Sequence, residues 1–138
     1  MKTIPEILKS TRTIAVVGMS NKPERASHEV AAYLQQHGFR IIPVNPNYSG
    51  QQILGEKVYA SLAEAAAALA PVRIDLVDCF RKSEEIVPIA REAIAIGAAC
   101  LWMQLDVVND EAARLAKTAG LDVVMDHCVK IEHKAVSA

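Results

Sequence analysis

The sequence predicts an α/β protein built on a doubly wound parallel sheet. Three features predict it. Five short apolar runs recur along the 138 residues. Segments with helical spacing and capping residues separate them. The runs are apolar almost without interruption, which marks strands covered on both faces, as in parallel sheets. The alternation β-α-β-α-β-α-β-α-β, with connections of ordinary length, reads as a five-stranded sheet between two helical layers.

The elements follow in order. A short helix near Ile4–Leu8 precedes Thr13-Ile14-Ala15-Val16-Val17-Gly18, a β-branched run that ends at glycine. Ser27 is placed to cap a helix through Gln36, with Val30, Ala31 and Leu34 on one face and Gly38 at its end. Arg40-Ile41-Ile42-Pro43-Val44 is the second strand. Pro43 cannot donate to a ladder and signals the strand's end. Ser61-Leu62-Ala63-Glu64 is a capping box opening an alanine-rich helix that Pro71 closes. Ile74–Cys79 is the third strand. Ser83-Glu84-Glu85 puts acids at a helix start, Pro88 suits the first turn, and Gly97 stops the helix. Cys100–Leu105 is the fourth strand, Asn109-Asp110-Glu111 opens the next helix, and Gly120 ends it. Asp122–Asp126 is the fifth strand, and residues 129–138 read as a helical turn and a polar tail. No repeat or linker divides the chain, so residues 1–138 are expected to form one domain.

Charge and composition exclude several functions. Lys plus Arg number 15 against 16 Asp plus Glu, for a net charge of -1. That balance offers no broad electrostatic grip on nucleic acid or on an anionic membrane. Two Phe, three Tyr and one Trp are too few for base-stacking platforms. No apolar run approaches the roughly 20 residues that span a bilayer. Cys79, Cys100 and Cys128 are an odd number without C-x-x-C spacing. They read as reduced thiols in a cytoplasmic protein, with neither a disulfide frame nor a zinc site.

In a doubly wound sheet, ligands bind beyond the carboxyl ends of the strands. The informative residues are therefore those that follow each strand. The first set is Gly18-Met19-Ser20, then Lys22, Arg25 and Ser27. Gly18 permits close approach of a ligand, the helix start offers free N–H groups to an anion, and Lys22 and Arg25 add charge. A plain turn with a serine cap is the competing reading. The loop is neither G-x-G-x-x-G nor a P-loop. The second strand ends in Asn45-Pro46-Asn47-Tyr48, without the acid that holds an NAD ribose or the arginine that suits NADP. Phe80, Arg81 and Ser83 follow the third strand. Arg81 can pair with phosphate, or lie on the surface beside Glu84 and Glu85. Gln104 ends the fourth strand, and His127 and Cys128 follow the fifth. Adjacent residues in extended chain point apart, so His127 and Cys128 cannot pair as base and nucleophile. Cys79 and Cys100 lie within strands as small hydrophobes, which leaves Cys128 as the one thiol near the ligand end. No metal-ligand spacing and no G-x-S-x-G elbow occurs.

Val16-Val17-Gly18-Met19-Ser20, Pro23-Glu24-Arg25-Ala26-Ser27, Ile42-Pro43-Val44-Asn45-Pro46, Asp75-Leu76-Val77-Asp78-Cys79-Phe80-Arg81, Leu101-Trp102-Met103-Gln104 and Val124-Met125-Asp126-His127-Cys128 together resemble the stand-alone CoA-binding protein family. Its fold is similar to the N-terminal CoA-binding domain of the succinyl-CoA synthetase alpha subunit. The resemblance runs from about Thr11 to Glu132. It implies a Rossmann-like sheet of strand order 3-2-1-4-5. It implies that Gly18, Met19, Ser20 and Ser27 hold the CoA pyrophosphate, and that Asn45, Pro46 and Tyr48 line the adenosine or pantetheine path. Phe80, Arg81 and Ser83 would meet adenine and phosphates, with Gln104 close by. Three residues depart from the family pattern: Met19 where alanine is usual, Asp106 for glycine, and His127 for arginine. The expected function is binding of coenzyme A or an acyl-CoA as a binding or regulatory module without chemistry of its own. The alternative is a small enzyme handling an acyl-CoA thioester, or an NAD(P)-linked oxidoreductase. A homodimer is favoured over a monomer.

Overall fold

The computed structural model describes residues 1–137. Helix α1 (Ile4–Ser10) opens on a capping box in which Thr3 and Glu6 bond each other's backbone N–H groups, and it buries Ile7 and Leu8. Strand β1 (Thr13–Val17) is buried throughout. Helix α2 (Ala26–Gln36) follows a loop, and strand β2 (Arg40–Val44) follows the helix. After a 3-10 turn at Pro46–Tyr48 comes a small antiparallel hairpin of β3 (Gln52–Ile53) and β4 (Glu56–Lys57). Its turn residues, Leu54 at φ 53 and Gly55 at φ 78, are both left-handed, as a tight two-residue hairpin of primed type requires. The sequence reading did not foresee this hairpin, because two-residue strands carry no periodicity. Helix α3 (Leu62–Leu69), strand β5 (Leu76–Cys79), helix α4 (Ile86–Ala95), strand β6 (Cys100–Met103), helix α5 (Asp110–Thr118), strand β7 (Asp122–Val124) and helix α6 (Val129–Ser137) complete the chain.

The five long strands form one parallel sheet in the order β2-β1-β5-β6-β7. Counting those five alone, the order is 2-1-3-4-5. The expected order 3-2-1-4-5 sets a third strand outside β2, and that place holds only a parallel bridge between Val44 and Tyr59. Because β2 is otherwise an edge strand, Pro43 sits within it, opposite Val16, without breaking a ladder, and the strand runs on to Val44.

Helices cover both faces. Ala15, Val17, Val77, Cys79, Leu101 and Met103 pack against Leu62, Ile86, Ala90 and Ala112 of α3, α4 and α5. Ile14, Val16, Leu76, Cys100 and Trp102 pack against Ile7, Val30, Leu34 and Val129 of α1, α2 and α6. Three strands differ in extent from the expectation. The third begins at Leu76, just after Asp75, whose carboxylate accepts the N–H groups of Arg12 and Thr13, both at 3.0 Å. The fourth ends at Met103 and the fifth at Val124, where Asp106 (φ 67) and Asp126 (φ 60) turn left-handed. The polar tail expected at the carboxyl terminus is instead the nine-residue helix α6.

Candidate functional site at the carboxyl ends of the strands

Two cavities adjoin at the carboxyl ends of β1, β2, β5 and β6, and they share Ala26 and Phe80. The smaller, about 350 Å³, is lined by Gly18, Ser20, Lys22, Arg25, Ser27, Asn45 and Tyr48 as well. The larger, about 560 Å³, adds Val30, Arg81, Lys82, Ser83, Glu85, Gln104, Leu105, Asp106, Val107 and Cys128.

The smaller cavity is built around the start of α2. The helix begins at Ala26, with Arg25 in the capping position and no side chain accepting from its first N–H groups. Ser27 therefore lies inside the first turn and is not the cap expected from sequence. Its hydroxyl, buried, accepts the Ser20 N–H at 2.9 Å, and the Ser20 hydroxyl accepts the Lys22 N–H at 3.0 Å. Both hydroxyls keep a proton to donate. Asn45 locks the opposite wall. Its Nδ2 donates to the Met19 carbonyl at 3.0 Å, and its Oδ1 accepts the Asn47 N–H at 3.0 Å. Lys22, Arg25 and Arg81 form no ion pair among the described residues, so three cationic groups border the cavities with their charge unspent.

Gly18 has φ 85, and a Cβ there would run into the carbonyl oxygen of Phe80. The glycine thus serves the close approach of two backbone loops and lines the smaller cavity as well. Two expected site residues stand apart from both cavities. The Met19 side chain is fully buried in the core beneath α2, and Pro46 lies outside both cavities, on the border of a separate one that Val17, Val44, Ala60 and Arg81 also line. Ser83 borders the larger cavity, yet its hydroxyl is spent on the next loop, accepting from Val108 N at 3.0 Å and donating to the Asp106 carbonyl at 3.4 Å.

Gln104 is 5% exposed. Its Oε1 accepts the N–H of Val129, the first residue of α6, at 3.1 Å. Asp106 has the left-handed φ that favours glycine, and its N–H donates to Asp126 Oδ1 at 2.7 Å. His127 turns away to Glu132, 3.3 Å from Nδ1 to Oε2, and lines neither cavity. Among the three free thiols, Cys79 and Cys100 are enclosed in β5 and β6, and burial pushes both well above the ordinary thiol range. Asp78, also in β5, is fully enclosed. Neither of its carboxylate oxygens has a hydrogen-bond partner among the described residues, and burial raises its pKa well above the usual carboxylate range.

Sequence reasoning placed Lys82 and Leu105 among the residues that follow the strands, and it missed Ala26, Val30, Glu85 and Val107 as lining residues. Val30 carried a signal, since it lies one helical turn beyond Ala26 on the same face.

A family model described as "CoA binding domain" matches residues 12–134. The chain belongs to that family. The uncharacterized protein YneT of Bacillus subtilis (strain 168) is 41% identical over 130 residues, covering 94% of this chain and 91% of YneT. Two solved structures share both fold and sequence with this member of the CoA binding domain family. One is cell-free ID.343 from Thermus thermophilus, at TM-score 0.88 and 32% identity over 98% of this chain and 99% of that one. The other is a hypothetical protein from Pyrococcus horikoshii OT3, at TM-score 0.87 and 38% identity over 98% of this chain and 90% of that one. No helix among the described residues is long and apolar enough to cross a membrane.

Proposed function

We propose that this protein binds coenzyme A or an acyl-CoA across the two cavities, as a binding or regulatory module acting as one domain. The observation that carries the reading is that they adjoin. A polar, cation-bordered cavity at the uncapped start of α2 meets, at Ala26 and Phe80, a larger one in which Val30, Leu105 and Val107 stand beside Arg81 and Lys82. CoA has that polarity, with phosphates at one end and a less polar pantetheine arm at the other. The diphosphate takes the N–H groups of the first turn of α2, the hydroxyls of Ser20 and Ser27, and the charges of Lys22 and Arg25. Tyr48 and the Asn45 loop flank the adenosine. Arg81 reaches phosphate from the β5 side. The pantetheine arm runs towards Gln104 and Cys128.

The second strand supplies no acid to hold a ribose, which disfavours a nicotinamide dinucleotide. Native mass spectrometry of freshly purified protein, followed by calorimetry with CoA, dephospho-CoA, NAD and NADP, tests the assignment. A retained mass of CoA or acyl-CoA and tightest binding of CoA are expected. Retention of a nicotinamide dinucleotide, or tighter binding of NAD or NADP, overturns it.

A further inference from the structure

We infer that Cys128 is a mixed-disulfide site for the thiol end of CoA, loaded from CoA disulfide. The inference rests on the CoA reading above and adds a covalent step to it.

Two independent observations meet in the larger cavity. Cys128 is the only one of the three thiols that lines it; Cys79 and Cys100 are 0% and 1% exposed within their strands. The second observation is the amide of Gln104. Its Oε1 must face the Val129 N–H, because a carbonyl and not an NH₂ accepts there. That sets Nε2 as the other end. Although the residue is buried, Nε2 donates to no described residue. Nε2 is the end of the side chain left open to the cavity, where a carbonyl of a ligand can take its hydrogen bond. The pantetheine arm carries two amide carbonyls and then a thiol. A ligand with a carbonyl on Gln104 Nε2 brings its sulfur end into the cavity that Cys128 also lines.

Lys22 and Arg25 border the smaller cavity and Arg81 and Lys82 the larger, but only the smaller is built on the uncapped start of α2, and the diphosphate belongs there. The thiol end is left for the larger one. Cys128 also directly precedes α6, and its carbonyl accepts Glu132 N at 3.0 Å.

The step balances as thiol–disulfide exchange. Cys128, as thiolate, attacks one sulfur of CoA disulfide. A Cys128–S–S–CoA bond forms and the original S–S bond breaks. The second CoA departs as thiolate and takes up the proton that Cys128 released. CoA disulfide is the oxidant, and no other is needed.

The test treats full-length protein with CoA disulfide, or with glutathione disulfide in parallel, and reads intact mass and peptide maps. One CoA per chain at Cys128 is expected, reversed by dithiothreitol and lost in Cys128→Ser. CoA disulfide should react faster than glutathione disulfide. Gln104→Leu should slow the CoA reaction about three- to tenfold more than it slows the glutathione reaction, the loss of one hydrogen bond to the ligand. If Cys128→Ser does not fold, the peptide map of the unsubstituted protein still locates the adduct. No adduct at Cys128 in protein that binds CoA by calorimetry overturns the inference and leaves the binding reading standing. Equal labelling by both disulfides, or of all three cysteines, also overturns it. Failure to bind CoA at all removes both.

Discussion

A Cβ on Gly18 would overlap the carbonyl oxygen of Phe80. The loops after β1 and β5 therefore meet backbone to backbone, and Phe80 N donates to the Val17 carbonyl at 2.9 Å beside them. With φ at 85, Gly18→Ala suffers both backbone strain and overlap. It should cost about 2–4 kcal/mol of stability, read by chemical denaturation. Parent-like stability would mean that the two loops part easily. Loss of ligand binding in this variant would report the loops' packing and not a phosphate contact.

Arg81 lies at the boundary of the cavities without an ionic partner among the described residues. Arg81→Ala should therefore leave the melting temperature nearly unchanged. It should weaken CoA binding by on the order of 1.5–3 kcal/mol, the worth of a hydrogen bond to a charged group. Calorimetry at two salt concentrations checks it. Unchanged affinity would place Arg81 on the surface as a bystander.

Asp78 gives the fold a penalty that depends on pH. Its carboxyl is enclosed between Val16 of β1 and Trp102 of β6 without a hydrogen bond, so folding favours the protonated form. The folded state then holds a proton that the unfolded chain releases in the ordinary carboxylate range. The stability this gives is complete below that range and falls as pH rises through it towards the raised folded value. Asp78→Asn removes the titration. It should stabilise the protein at neutral pH by on the order of 1–3 kcal/mol and flatten that part of the profile. A destabilised Asn variant with an unchanged profile would show that the carboxylate has a partner in solution.

α6 is held to α2 through Tyr33 Oη, 2.7 Å from His133 Nδ1, with the His37 ring 5.3 Å from that of His133. Lys130 and Lys134 lie over the Tyr33 ring. Desolvation, and then the neighbouring His37, lower the His133 pKa. Folding therefore favours neutral His133. Its contribution is present above the ordinary histidine range and is lost as pH falls through that range towards the lowered folded value. Amide hydrogen exchange in α6 should accelerate on acidification, and His133→Gln should blunt the change. Exchange independent of pH after correction for the intrinsic rate would rule the latch out.

The sequence by itself determined the five main strands, the helices between them and the rim on which a ligand would sit. These are local properties. Val16-Val17-Gly18 reads as a buried strand ending, and Ser61 and Asn109 cap their helices as their spacing to Glu64 and Ala112 requires. Tertiary structure decided what depends on distant partners. Only the packed sheet buries Met19, which its place in a loop would expose. Only the fold moves Ser27 from cap to tie for Ser20, and gives Gly18 its reason in Phe80, 62 residues on. Gln104 is held by Val129, from a helix that had read as a turn and a tail. Periodicity reports which face of an element is buried, and it carries no record of which distant element buries it.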